Sequence, residues 1–444
     1  MNIDFDLVFI ILVAASGVSI VLILLLSIYY LIFWSISARK LALVPHSDKK
    51  SKFALLIAAR NESNVIENIL NSLDNQTYPR EFFEAFVIVE SEDDPTIEIV
   101  KKHGYQYFVR DRLGEGRYTK GFALQECIDY LWRENLNYDA YMIFDADNIL
   151  EPNYIEVMND VRQTGVQVGL GYRNFTNADT NWVTACCAVM FSYMNQITSY
   201  GRSIIFHKAT LMGTGYFIDD SIIREIGGWI FTGMTEDIQL TTYCYYHDIY
   251  MRYYPAACFY DEQASDMKTV HNQHVRWLAG FMESRKFLKK EGVQKSYHSQ
   301  RLQSMMTYEF RVGIIPFIVF NAISFIIAIV GIVFGVLSAI YGKDYQTGII
   351  FSVVGFQLSA LYMSFVVPAI LSIIRNRKYL KLSPKNEILC ILTYMFYFYD
   401  FASAFFDILT HPQKRKSWVR IEHTGEINNK DINKDGKQEG LEKD

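Results

Sequence analysis

The sequence has little of what would mark several common classes of protein. Its six cysteines, Cys127, Cys186, Cys187, Cys244, Cys258 and Cys390, form no CxxC and no cysteine–histidine metal spacing. This argues against a zinc module and for reduced packing residues in a cytosolic domain. The formal net charge is −5 and no region gathers a basic stripe, which argues against a nucleic-acid partner. Charge itself is missing from Leu7 to Ala38, from Val312 to Gly342 and from Tyr345 to Ile374. Each run exceeds the roughly 20 residues that cross a hydrocarbon core as a helix, so a wholly soluble enzyme is excluded. The first run is too long and too uniform for a cleaved signal peptide and reads as an anchor.

The flanks of these runs set an orientation. Arg39, Lys40, Lys49, Lys50 and Lys52 follow the first run, and Arg375, Arg377, Lys378, Lys381 and Lys385 follow the third. Basic clusters stay on the cytoplasmic side. The expectation is therefore Met1 outside, residues of about 50–310 inside, and a cell-membrane protein of several spans. A fourth oily stretch, Ile388 to Thr410, is rich in aromatics and carries Asp400 and Asp407, seven apart and on one helix face. Carboxylates at that depth face a polar cavity or the protein interior. Because a basic tail follows, this stretch is expected to lie in the interface or to re-enter rather than span.

Between Ser51 and about Arg311 short apolar runs alternate with amphipathic helical patterns. Phe53 to Ala59 ends at Arg60-Asn61-Glu62, Phe86 to Val89 ends at Glu90, and Ala140 to Phe144 ends at Asp145-Ala146-Asp147. Such alternation predicts an α/β domain with a largely parallel sheet, whose ligands bind beyond the carboxyl ends of the strands. Asp145 and Asp147 at a strand end suit a hard divalent cation that neutralises a diphosphate, although the same pattern also makes a solvated turn or a helix cap. Thr235-Glu236-Asp237 suits a helix start. Gln273 to Trp277 suits an amphipathic helix with an anchoring Trp.

Taken in order, Asn61-Glu62, Glu90, Lys120-Gly121, Asp145-x-Asp147, Gly213-Thr-Gly215, Thr235-Glu-Asp237 and Gln273-x-x-Arg276-Trp277 resemble the inverting family-2 glycosyltransferases with a QxxRW motif. That branch includes cellulose, chitin, hyaluronan and poly-N-acetylglucosamine synthases as well as ceramide glucosyltransferases. The resemblance implies a Rossmann-like GT-A domain over residues 50–290, inserted between an anchor at 1–40 and transmembrane or interfacial helices at 312–410, with an interfacial segment at 291–311. It implies that Asn61, Glu62 and Glu90 contact uridine and that Lys120 and Arg276 meet the diphosphate. Asp145 and Asp147 would hold Mg²⁺ or Mn²⁺. Asp237 would act as general base, with Glu236 supporting the site or contacting the acceptor. Gln273, Trp277, Gly213 and Gly215 would serve the acceptor side. Glu90 departs from the family's Asp, and an FxVTxK-like gating segment is absent. Trp418 and Arg420, in the juxtamembrane segment 411–429, are similar in position to the tryptophan-containing tail loop of hyaluronan synthases, and equally suit a basic interfacial tail.

The expected partners are a UDP-sugar, a growing polysaccharide, the bilayer and accessory secretion proteins. The expected function is processive polymerisation and secretion. Transfer of one sugar to a lipid is the alternative, and a transporter or receptor with a degenerate sugar-binding domain would not need the full set of carboxylates. Residues 430–444 are charged and nearly without apolar groups, so disorder is expected there. The EF-hand-like spacing from Asp431 to Glu442 reads as chance in so Asn-, Lys- and Asp-rich a segment.

Overall fold

The computed structural model describes residues 4–39, 42–111, 114, 117–290 and 314–411. In chain order they form α1 (Phe5–Ile36), β1 (Phe53–Ala58), α2 (Ile66–Asp74), β2 (Phe83–Val89), α3 (Thr96–Lys102), β3 (Gln106–Val109), α4 (Lys120–Arg133), β4 (Ala140–Asp145), β5 (Ile149–Leu150), α5 (Tyr154–Gln163), β6 (Val168–Phe175), α6 (Trp182–Met194), α7 (Arg202–Phe206), β7 (Tyr216–Asp219), α8 (Asp220–Glu225), α9 (Glu236–Tyr246), β8 (Met251–Asp261), α10 (Met267–Lys290), α11 (Ile314–Ile340), α12 (Asp344–Leu380) and α13 (Pro384–Thr410). The segment 291–311, Trp418, Arg420 and the spacing at 431–442 lie outside the described residues.

Period-two alternation splits β1 between two cores. Ala54 and Leu56 pack on one face of the sheet with Leu124, Cys127, Ile128 and Leu131 of α4. Phe53, Leu55 and Ile57 pack on the other with Ile66, Ile69, Leu70 and Leu73 of α2. Both helices bury the i, i+3, i+4, i+7 stripe that a helix against a sheet requires, and both sheet faces are covered, as a parallel sheet demands.

The strand order is β3-β2-β1-β4-β7-β6-β8-β5. Strands β1, β2, β3 and β4 run parallel. The sheet is mixed beyond β4, which the expectation of a largely parallel sheet did not include. β7 is entered through the Gly213–Gly215 loop beside the end of β4, so it runs back antiparallel. β6 is antiparallel to β7 and β8 is parallel to β6. Both therefore finish at the same edge as β4, and their last residues reach the same site. Gly215 needs its left-handed backbone (φ 67), and a Cβ there would collide with the Phe259 ring.

Among the described residues, four helices are long and apolar enough to cross a membrane: α1 over Phe5–Ile28, α11 over Phe320–Ile340, α12 and α13. Leu12, Ala328, Phe334, Ile350 and Val354 join α1, α11 and α12 in one cluster. α13 packs differently. Asn386 donates to the Asp179 carbonyl, the Cys186 thiol approaches the Cys390 carbonyl, and Asp400 and Asp407 meet the histidines of α10. Contacts with the sheet domain thus extend from residue 386 to 407, about 30 Å at 1.5 Å per residue.

Candidate active site

At the point where the chain turns from β1 outward to β2 and then back to β4, the carboxyl ends of the three strands leave a crevice. Arg60, Glu62, Glu90, Lys120, Asp145, Asp147, Gly213, Glu236, Asp237, Gln273, Arg276 and Trp277 all line one cavity of about 1730 Å³ there. Among the described residues, two of those expected at the site do not. Asn61 turns the chain after β1 with a left-handed backbone (φ 59), while its neighbours Arg60 and Glu62 reach the cavity. Gly215 serves the β7 turn described above, so only Gly213 of that pair lines the cavity.

Lys120 opens α4, where the Thr119 hydroxyl caps the Phe122 N–H at 3.4 Å. Its Nζ donates to Asp145 Oδ1 at 2.5 Å and to the Gly213 carbonyl at 2.9 Å. The Asp145 backbone N–H donates to Asn148 Oδ1 and Thr214 Oγ1, both at 3.0 Å, which fixes the turn that carries Asp147. Asp147 is pushed well above the usual carboxylate range by burial, then by the charges of Asp261 and Asp145. Asp261, the last residue of β8, accepts from Arg173 Nε at 2.8 Å and from Gln263 Nε2 at 2.8 Å. Negative charge is thus crowded at Asp145, Asp147 and Asp261. A divalent cation relieves that crowding, so Asp145 and Asp147 fit one chemically.

Glu236 and Asp237 begin α9 and line the same cavity. Thr235 precedes them without capping the helix; its hydroxyl pairs instead with Ser284 on α10 at 3.2 Å. Asp237 Oδ1 accepts the Ile238 N–H at 2.8 Å. Burial pushes Glu236 up to about 8, reinforced by Asp237. Burial also raises Asp237, but the Ile238 N–H and Lys120 oppose it and hold it at about 6. Asp237 is therefore the member of the pair that ionises first, and Glu236 the one that keeps its proton longer.

Glu90 is not free to meet a ligand alone. Arg60 Nε is 2.9 Å and Arg110 Nη1 is 3.3 Å from its carboxylate. Arg110 and Arg117 share the buried Glu126. Burial works to raise Glu126, but these two guanidinium groups hold it below the usual carboxylate range. Sequence reasoning missed Arg110, Glu126, Arg173 and Asp261. The one signal for Asp261 was a carboxylate ending an apolar run, the feature that had singled out Asp145; Arg110, Glu126 and Arg173 sit in no motif.

The cavity continues away from the carboxylates between helices. Ile23, Leu24 and Leu26 of α1, Met363 and Val367 of α12, and Phe398 of α13 line this limb. Ser27, Asn321 and Ser364 supply polar atoms there.

The profile of the family described as glycosyltransferase like family 2 matches residues 51–280, the stretch that carries all of the cavity's charged side chains except Glu283. The chain belongs to this family. It is 28% identical over 244 residues to the probable glycosyltransferase YdaM of Bacillus subtilis, a match that covers 52% of this chain and 55% of that protein. It is 25% identical over 261 residues to a poly-beta-1,6-N-acetyl-D-glucosamine synthase of Staphylococcus epidermidis (57% and 60% covered). It is also 25% identical over 237 residues to a beta-monoglucosyldiacylglycerol synthase of Trichormus variabilis (51% and 48% covered). The chain therefore spans about half to three fifths of these relatives. Among solved structures, the mannosyltransferase PcManGT of Pyrobaculum calidifontis, in complex with GDP-Man and Mn²⁺, aligns with a TM-score of 0.52 at 13% identity, over 90% of this chain and 98% of that one. The fold is GT-A-like, an α/β domain on a mixed sheet.

Proposed function

We propose that this glycosyltransferase is an inverting, metal-dependent enzyme that moves one hexosyl group from a UDP-sugar to a hydroxyl of a membrane lipid. Asp237 is the general base. It lines the cavity, and the Ile238 N–H and Lys120 favour its ionised form, as a base aimed at the acceptor requires. Glu236 supports it in protonated form. Asp145 and Asp147 hold Mg²⁺ or Mn²⁺, which neutralises the diphosphate when bound. Lys120 exchanges its hold on Asp145 for the diphosphate, and Arg276 meets the leaving diphosphate from α10 through its planar fork. Glu62 and the Arg60–Glu90–Arg110 cluster form the base-binding end, with Asn61 shaping its turn. Trp277 offers an aromatic face to the acceptor sugar.

The observation that carries the acceptor class is the largely apolar limb that joins Asp237 to the spans. A hydrated polymer leaving through the membrane needs hydroxyl partners along its path, and hydrocarbon side chains offer none. A lipid acceptor needs apolar walls. Processive polymerisation with secretion remains a second reading. It is supported by the partly exposed Trp277 and Gln273 at the cavity wall and by the poly-N-acetylglucosamine synthase relative.

α1, α11 and α12 cross the membrane and α13 lies along its inner face, because α13 keeps touching the sheet domain for most of its length. Met1 is then outside, the sheet domain is cytoplasmic, and Arg375, Arg377 and Lys378 follow the positive-inside bias.

Acceptor dependence tests the function. UDP release is measured on delipidated protein in detergent, with Mg²⁺ or Mn²⁺ and a panel of UDP-sugars. The expected result is stimulation by added membrane lipid extract and little response to soluble glucan or chitin oligosaccharides. Stimulation by the oligosaccharides alone transfers the reading to a polymer synthase.

A further inference from the structure

α10 carries Gln273, Arg276 and Trp277 on one face and His271, His274 and Leu278 on an adjacent one, since residues three and four apart share a face. The second face meets α13. His271 Nδ1 lies 2.8 Å from Asp400 Oδ1, and His274 Nδ1 lies 2.7 Å from Asp400 Oδ2. His271 Nε2 lies 3.5 Å from Asp407 Oδ2, and the other Asp407 oxygen is 2.9 Å from His411. Asp400 thus spends both oxygens on the first turns of α10. The His274 ring is fully buried, stacks on Phe401 at 3.6 Å, and lies 5.4 Å from Trp277. Burial lowers the His274 pKa, so the ring is a neutral Nδ1–H donor to the carboxylate.

The other end of the contact region is tied to catalysis. Gly280 lies so close to Thr235 that a Cβ would stand 2.5 Å from its methyl group. Ser284 pairs with the Thr235 hydroxyl, one residue before Glu236. α10 is thereby held at two points: by α13 at its start and by the Thr235-Glu-Asp237 turn further along. Its cavity face has only the angle between those two points in which to settle.

We propose that Asp400 is a positioning residue: by holding His271 and His274 it sets the angle of α10, and with it the approach of Arg276 and Trp277 to the reacting sugar. This inference rests on the roles given to Arg276 and Trp277 above. Of the two surroundings that the sequence leaves open for these carboxylates, a polar cavity or the protein interior, they have the second, against the histidines of α10. Asp407 plays the weaker part, since its pair with His271 is longer and it also serves His411.

The test uses full-length protein in lipid nanodiscs, with Asp400→Asn and Asp400→Leu. Asparagine keeps one oxygen to accept from a histidine, and leucine keeps none. Misplacing a reacting group by about 1 Å can cost 10²-fold. The expected result is a fall in transfer kcat of at least about tenfold for leucine and a smaller fall for asparagine. KM for the UDP-sugar, set mainly at Lys120, Asp145 and Asp147, should change by less than about threefold. Parental kcat in the leucine variant overturns the proposal, as does an equal loss in both variants with a matching rise in KM. If Asp400→Leu fails to fold, His271→Gln carries the same test: intermediate kcat at unchanged KM supports the role, and parental kcat overturns it. A readout independent of activity is thiol labelling of Gln273→Cys, whose rate should change at least about threefold when Asp400→Asn is added. An unchanged rate overturns the positioning role. A parent protein that turns over no UDP-sugar, yet shows the labelling change, contradicts the proposed function and leaves the helix contact standing.

Discussion

Asp237 and Glu236 are chain neighbours, yet their surroundings separate them. Glu236 is deeply buried and rises to about 8, while the Ile238 N–H and Lys120 keep Asp237 near 6. A base must be deprotonated to accept the acceptor proton, so transfer should climb with pH as Asp237 ionises, pass half its plateau near pH 6 and level off about one unit higher. A kcat–pH profile checks this; a flat profile from pH 5 to 7 would point to another base. Asp237→Asn should lose about 10²–10⁴-fold in transfer while binding UDP-sugar normally by calorimetry. Asp147→Ala should abolish the response to Mg²⁺ or Mn²⁺ without unfolding the protein, because removing one crowded carboxylate costs the apo fold little. Turnover that survives both this substitution and excess EDTA would remove the metal from the account. The carboxylates at the ends of β1, β2 and β4 were legible because short apolar runs stop abruptly at charge. Arg110, Glu126 and Arg173 were not, since only the folded sheet brings them beside those ends. Glu90 was found for its position, but its two arginine partners, one of them far away in the chain, could not be read from it.

Among the elements, the parallel half of the sheet was readable from alternating strands and amphipathic helices, and the antiparallel half was not. The reason is local. β7 is four residues long, and its direction is fixed by a loop that returns beside β4, which no periodicity records. Gly215 is the residue that permits this return. Gly215→Ala places a Cβ against Phe259 in a left-handed backbone, and strain of that kind costs about 1–3 kcal/mol. A lower thermal midpoint, with restoration in a Gly215→Ala/Phe259→Leu double variant limited to the steric part, is the expected result. α13 was legible as oily and carboxylate-bearing, but its partners lie more than a hundred residues away on α10 and α6.

At the scale of the whole molecule, a sheet domain sits against helices long and apolar enough to cross a bilayer, and one cavity is lined by both. The orientation is testable at described positions: cysteines introduced at Lys343 and Thr410 should label from outside and inside respectively. External labelling of Thr410 would mean that α13 crosses. What the domain does with the cavity is decided by the fate of the sugar. Protein reconstituted in vesicles of total membrane lipid should be given radiolabelled UDP-sugar and Mn²⁺, and the label followed into the organic phase and onto a sizing gel. The account predicts label in the organic phase, on lipid carrying a single added sugar. A ladder of long, degradable polymer in the aqueous phase, with unmodified lipid, would contradict it.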